Sequence, residues 1–246
     1  CNKKADPNQE KLLIAVAANV QFAMQEIEKK FEKETGIPVD QVISSSGKLT
    51  AQILQGAPYD IFVSADVKYP DTLYKNGFAT APPRVYAYGT LVLWTFQGFD
   101  LANGLDILKN PLVQKIAIAN PATAPYGEQT IRLLRHYNLY DQIQPKLVYG
   151  ESIAQTNQYI TSSACELGFT AKSIVLAPEM QGKGAWVEMD AAAYEPIQQG
   201  VIITKFGNTE HPEASQRFFD YLFSEKGRAI LEKHGYQLPV NQTNSQ

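Results

Sequence analysis

Val39-Asp40-Gln41-Val42-Ile43-Ser44-Ser45-Ser46-Gly47-Lys48-Leu49-Thr50-Ala51-Gln52-Ile53-Leu54 carries two secondary-structure patterns in one run. Val39, Val42 and Ile43 are β-branched and apolar, and Pro38 precedes them, so the run opens as a short strand. Leu49, Ile53 and Leu54 then recur at helical spacing, with Gly56 where the helix should stop. Between them lie Ser44, Ser45, Ser46 and Gly47. Hydroxyls and unpaired backbone N–H groups therefore gather at a helix N-terminus, where the dipole favours an anion. Taken alone, the stretch is read more plainly as a serine capping its helix. It is not a P-loop, because Val42 stands where the first glycine is needed and Leu49 follows the lysine.

The same strand-to-helix pattern occurs on either side. Residues 11–18 read as an apolar strand ending at Ala18-Asn19. Val20, Ala23, Met24, Ile27 and Phe31 then mark an amphipathic helix closed at Gly36, which puts Asn19 at its N-cap. Tyr59-Asp60-Ile61-Phe62-Val63-Ser64 is a third strand, and a short helix runs from it to Gly77. Three such units with short loops argue for a parallel sheet covered by helices on both faces. Ligands of such sheets sit beyond the C-terminal strand ends, where Asn19 and the serines stand.

The pattern changes after Pro82-Pro83. Residues 85–96 form a long β-rich run with no helix directly behind it, so this run could cross between domains. Ile116-Ala117-Ile118 is a strand, and Asn120-Pro121-Ala122-Thr123-Ala124-Pro125-Tyr126-Gly127 leads into a helix expected over 128–137. Strand 146–149 feeds a helix opening at Glu151-Ser152-Ile153-Ala154, and Leu167-Gly168-Phe169-Thr170-Ala171 is a short strand entering another helix. Further strands are expected at 186–189 and 201–204, the second returning the chain to the first domain. Helices follow at 211–222 and 225–234. Four helix starts, near Asn19, Ser46, Tyr126 and Ile153, thus follow strands, two in each half. If the halves face each other, these starts converge on one cleft rich in neutral donors.

Composition narrows the function. A chain of 246 residues, 44% hydrophobic, is long enough for one or two folded domains. Its net charge of −3 and its lack of basic runs argue against nucleic acid as a partner. No apolar run reaches the length of a membrane span. Cys165 has no metal or redox spacing to Cys1 and reads as a buried thiol. Cys1 followed by the polar residues 2–10 reads as a lipid-bearing cysteine on a flexible tether. No G-x-S-x-G, H-E-x-x-H or G-x-G-x-x-G motif occurs. His136, His211 and His234 read as helix residues, and Asp66 as a helix cap.

With these residues in view, the chain resembles the periplasmic molybdate-binding proteins of ABC importers, from about residue 11 to 240. The resemblance rests on Ala17-Ala18-Asn19, on Ser44 through Leu49, on Gly56-Ala57-Pro58-Tyr59-Asp60-Ile61-Phe62-Val63-Ser64-Ala65-Asp66, on Asn120-Pro121, on Ala124-Pro125-Tyr126-Gly127 and on Leu167 through Ala171. It implies a two-lobed α/β periplasmic-binding-protein fold of type II, each lobe a mainly parallel sheet flanked by helices, with the ligand cleft between. Lobe 1 is expected over 11–84 and 203–246, lobe 2 over 85–202, and residues 1–10 as the tether. It also implies that Ala18, Asn19, Ser46, Tyr126 and Ile153 hold molybdate or tungstate, with no catalytic residue, no cofactor and no free cation bound by side chains. Some members add a Tyr hydroxyl at the position held here by Ala171. The expected partner is an ABC permease, the expected state a monomer, and the expected place the periplasm or cell surface, anchored at Cys1. The alternatives are another small anion, such as sulfate or a carboxylate, or a hydrolase using Asp60 or a serine.

Overall fold

A computed structural model describes residues 11–240. The expected tether, with Cys1, lies outside the described residues.

The first three units form as the hydrophobic pattern dictates. Strand β1 (Leu12–Ala17) runs through a 3-10 turn (Ala18–Val20) into α1 (Gln21–Thr35). Strand β2 (Val39–Ser44) leads to α2 (Ser46–Leu54), and β3 (Ile61–Val63) to α3 (Lys68–Lys75). Helix α1 buries Ala23, Met24, Ile27 and Phe31, the stripe read from the sequence. It stops at Gly36, which takes the left-handed conformation with φ 75°.

The β-rich run 85–96 is two strands, β4 (Arg84–Gly89) and β5 (Leu91–Thr95). Strand β6 (Ile116–Ala119) precedes α4 (Pro125–His136) and the short α5 (Tyr140–Ile143). Then come β7 (Leu147–Gly150), α6 (Ile153–Thr161), β8 (Leu167–Ala171), α7 (Lys172–Val175) and β9 (Ala185–Glu188). Strand β10 (Ile197–Ile203) leads into α8 (Lys205–Glu210), α9 (Pro212–Phe223) and α10 (Glu225–Lys233).

Two five-stranded sheets result, ordered β2-β1-β3-β10-β4 and β7-β6-β8-β5-β9. Each sheet is mixed: β2, β1 and β3 are parallel, as are β7, β6 and β8, and the two remaining strands close each sheet antiparallel. The chain passes between sheets at Thr90 and again between Glu188 and Ile197. The division expected at 84/85 and 202/203 therefore shifts, because β4 and β10 both pair in the first sheet. Apolar alternation marks a strand but does not say which sheet it joins. At Gly89 a side chain is excluded, since a Cβ there would lie 2.0 Å from the Tyr126 hydroxyl and 2.6 Å from Gln199 Nε2.

Helices α1, α9 and α10 cover one face of the first sheet, with Phe31 meeting Phe218 edge to face at 5.0 Å. Helices α2 and α3 cover the other face through Leu49, Ile53 and Leu73. One continuous core joins the second sheet to Ala17, Ala18 and Ala65 of the first lobe, so the lobes are packed together at the strand ends.

Candidate functional site

Strand register decides which helix starts become neighbours. Ala17 of β1 pairs with Ser44 of β2, so the turn after β1 and the start of α2 lie side by side. Ala119 of β6 pairs with Gly150 of β7, which does the same for the starts of α4 and α6. The two pairs of ends face each other. Ala17, Ala18, Asn19, Ser45, Ser46 and Ala65 from one lobe, and Ala124, Pro125, Tyr126 and Ile153 from the other, line a single narrow cavity of about 10 Å³. The structure thus brings together all five residues singled out in the sequence. No ionisable side chain other than the Tyr126 phenol lines the cavity.

The serines divide the roles that the sequence left open. Ser45 is the N-cap of α2, its side chain accepting from the Lys48 N–H at 3.4 Å. Ser46 is buried, and its Oγ accepts from the Ala65 N–H at 3.0 Å. With that lone pair taken, the Ser46 O–H is left to donate. Helix α6 is built alike, with Ser152 capping and Ile153 first in the helix. Helix α4 starts three residues earlier than its apolar spacing indicates, because Pro125 takes the first position, where its missing N–H costs nothing. Ala124 offers no side-chain cap, so the Tyr126 N–H has no acceptor in its own helix. Three helix N-termini thus direct amides and dipoles at one small space.

Asn19 departs from expectation. It does not cap α1, whose N-cap is Val20 with no side-chain bond. Its amide nitrogen donates to Gln199 Oε1 at 2.8 Å and to the Tyr236 hydroxyl at 3.1 Å. What Asn19 presents to the cavity through a free donor is therefore its backbone. Its carbonyl accepts from Ser173 Oγ at 2.7 Å and from Tyr236 at 3.0 Å. Ala171 is buried in β8 without a hydroxyl, and Ser173 two residues on supplies the contact to the first loop.

Gln199, Tyr236, Ser173 and Tyr86 are supporting residues that the sequence did not reveal. All four are buried, and their side chains hold Asn19 and Tyr126 from behind. Burial pushes the Tyr126 and Tyr86 phenols well above their ordinary range, so both stay protonated. Beside the cavity, burial pushes the Asp66 carboxyl up to about 6. Glu128 adds to the shift; the Tyr69 N–H, the Ser64 hydroxyl and Lys68 oppose it.

The residues of the hydrolase reading are otherwise engaged. Asp60 accepts from the Leu13 N–H at 2.7 Å through one oxygen and meets His211 Nδ1 at 2.8 Å through the other. Neither residue lines the cavity. Among the described residues no group of three or more His, Cys, Asp or Glu could hold a metal ion.

Comparison with known proteins agrees with this architecture. The family described as bacterial extracellular solute-binding protein matches residues 12–237. The molybdate-binding protein ModA of Azotobacter vinelandii is 37% identical over 227 residues, covering 92% of this chain and 89% of that protein. ModA of Rhodobacter capsulatus is 33% identical, covering 92% and 87%. The solved structure of the Azotobacter vinelandii periplasmic molybdate-binding protein superposes with a TM-score of 0.88 at 34% identity, covering 93% of this chain and all of that one. The chain belongs to the bacterial extracellular solute-binding proteins.

Proposed function

We propose that this chain is the substrate-binding protein of an ABC importer and captures molybdate, or tungstate, between its lobes. The observation that carries the reading is the convergence of the α2, α4 and α6 N-termini and the Ser46 hydroxyl on one small buried cavity. The named relatives, which bind molybdate, support it.

In this reading the backbone N–H groups of Ala18, Asn19, Tyr126 and Ile153, with both donors of Ser46, hold the oxyanion. Neutral donors and dipoles offset its charge without an ion pair. The cavity, about 10 Å³, is far smaller than the ~300 Å³ at which drug-sized sites begin, which excludes a sugar or peptide and leaves a small ion as the fitting class once the lobes part to admit it. Tungstate is expected to bind as molybdate does, being almost the same size and charge. The loaded protein, acting as a monomer, would deliver the anion to a permease. A lipid on Cys1 belongs to the same proposal, and mass measurement of the native protein tests it.

The decisive experiment is a thermal-shift series with molybdate, tungstate, sulfate, phosphate and small carboxylates. At about 100 times the Kd, binding adds about 2.7 kcal/mol, so molybdate and tungstate should raise the Tm distinctly. Phosphate, partly protonated at neutral pH, would bring an O–H that needs a buried acceptor, and should not. Equal shifts with phosphate, or a larger one with sulfate or a carboxylate, would refute the assignment.

A further inference from the structure

Helix α2 touches the opposite lobe through its second residue. The Gly47 N–H donates to the Thr123 carbonyl at 2.9 Å, backbone to backbone. No side chain fits between them. A Cβ at position 47 would lie 2.9 Å from Thr123 Cα, 3.0 Å from the Thr123 carbonyl oxygen and 2.9 Å from the Tyr69 hydroxyl. Two of those atoms are backbone and cannot rotate away. The same seam carries the Tyr69 hydroxyl donating to the Ala122 carbonyl at 3.0 Å and an ion pair between Lys48 and Glu151.

Nothing in α2 itself calls for glycine. Gly47 does not have positive φ, and alanine at a helical position favours the helix. The missing side chain is explained by the contact across the cleft. We propose that Gly47 is a positioning residue for closure: its bare backbone lets the start of α2, carrying Ser46, seat on the 120–124 loop that leads into Tyr126. Only when the two are seated do donors of both lobes reach one anion. This rests on the oxyanion reading of the cavity.

Replacement then separates folding from binding. Gly47→Ala should leave the Tm of the ligand-free protein unchanged or raised, since Ala stiffens the unfolded chain and suits the helix. Its molybdate affinity should fall about tenfold or more, because overpacking opposes the closed form, and the loss should lie in a faster dissociation rate. Tyr69→Phe removes one seam hydrogen bond without adding bulk and should shift affinity the same way by less. A spin-label pair, one on each lobe, reads the separation directly. Wild-type affinity and an unchanged separation in Gly47→Ala would overturn the proposal, and so would a loss of binding matched by a lower ligand-free Tm. If wild type itself fails to bind molybdate, the oxyanion reading falls. The ligand-free separations then decide this one: a wider mean distance in Gly47→Ala supports closure through Gly47, and equal distances refute it.

Discussion

The Gln199 side chain of β10 donates from Nε2 to the Tyr126 hydroxyl of α4 at 3.2 Å, linking the sheet of one lobe to a helix of the other. Its Oε1 accepts from Asn19 Nδ2 and from the Tyr86 hydroxyl, each at 2.8 Å. Gln199 sits at a register shift in β10, between Gln199 and Gly200, and is fully buried. Such a bulge re-aims a side chain, here into the space behind the cavity. One amide thereby sets the orientation of two residues proposed to hold the ligand.

Gln199→Ala should therefore be costly. It strips partners from three buried groups and opens a void, for a loss of about 2–4 kcal/mol in urea unfolding of the ligand-free protein. Affinity should fall as well, since the Asn19 loop loses an anchor. A loss under about 1 kcal/mol would show that water or the remaining hydroxyls satisfy these groups without it.

The contrast between Asn19 and Gln199 shows what the sequence makes legible. Asn19, Ser46, Tyr126 and Ile153 each stand near a helix start that follows a strand, a change of period from two to 3.6 that apolar residues display directly. Gln199 is invisible to that method. Gln198 and Gln199 break the β pattern, so β10 reads as starting at Val201 when it starts at Ile197. Tyr236 follows the last expected helix and carries no pattern of its own, although its hydroxyl meets Asn19 and Ser173. Pro125 reads as loop until it is recognised as the first residue of α4. Patterns report which face is apolar; they do not report which buried polar groups find one another.

The adjacent serines give a matched pair of variants. Ser46→Ala removes a buried hydroxyl whose oxygen is already occupied by the Ala65 N–H, leaving its proton for the anion. Affinity should drop by about 1.5–3 kcal/mol, the range for a hydrogen bond to a charged group. Ser45→Ala removes the α2 cap and should cost about 1 kcal/mol of stability with little change in affinity. Calorimetric titration and melting of both variants check this. Equal affinity losses would return Ser46 to a purely structural role.

Asp66 predicts a pH dependence. Its folded pKa, about 6, lies above the ordinary value of 3.8, so the folded protein keeps a proton that the unfolded chain releases in between. The stability from this group is full below pH 3.8 and is lost as pH rises through about 6. An ionised Asp66, next to the cavity residue Ala65, also opposes an anion. Wild type should thus lose stability between pH 3.8 and about 6, and affinity as the carboxyl ionises around pH 6. Asp66→Asn should show neither trend and should be more stable at pH 7.5, by at most about 3 kcal/mol. Parallel pH profiles in wild type and variant would rule the carboxyl out.

Tyr126 separates backbone from side chain most sharply. Its ring is buried, and its hydroxyl points behind the cavity to Gln199. Its proposed contact with the anion uses the N–H that follows Pro125. Tyr126→Phe keeps both the amide and the packed ring. It removes only the acceptor of Gln199 Nε2, so stability should fall by about 1 kcal/mol. Affinity should change by less than about 1 kcal/mol, because no donor to the anion is lost. A full alanine truncation answers less, since the cavity left by a buried aromatic costs about 3–5 kcal/mol and confounds binding with folding. Calorimetry on Tyr126→Phe, with a melting curve beside it, therefore tests the assignment. If binding falls by as much as in Ser46→Ala, the phenol reaches the anion and the backbone cradle is the wrong description of this lobe.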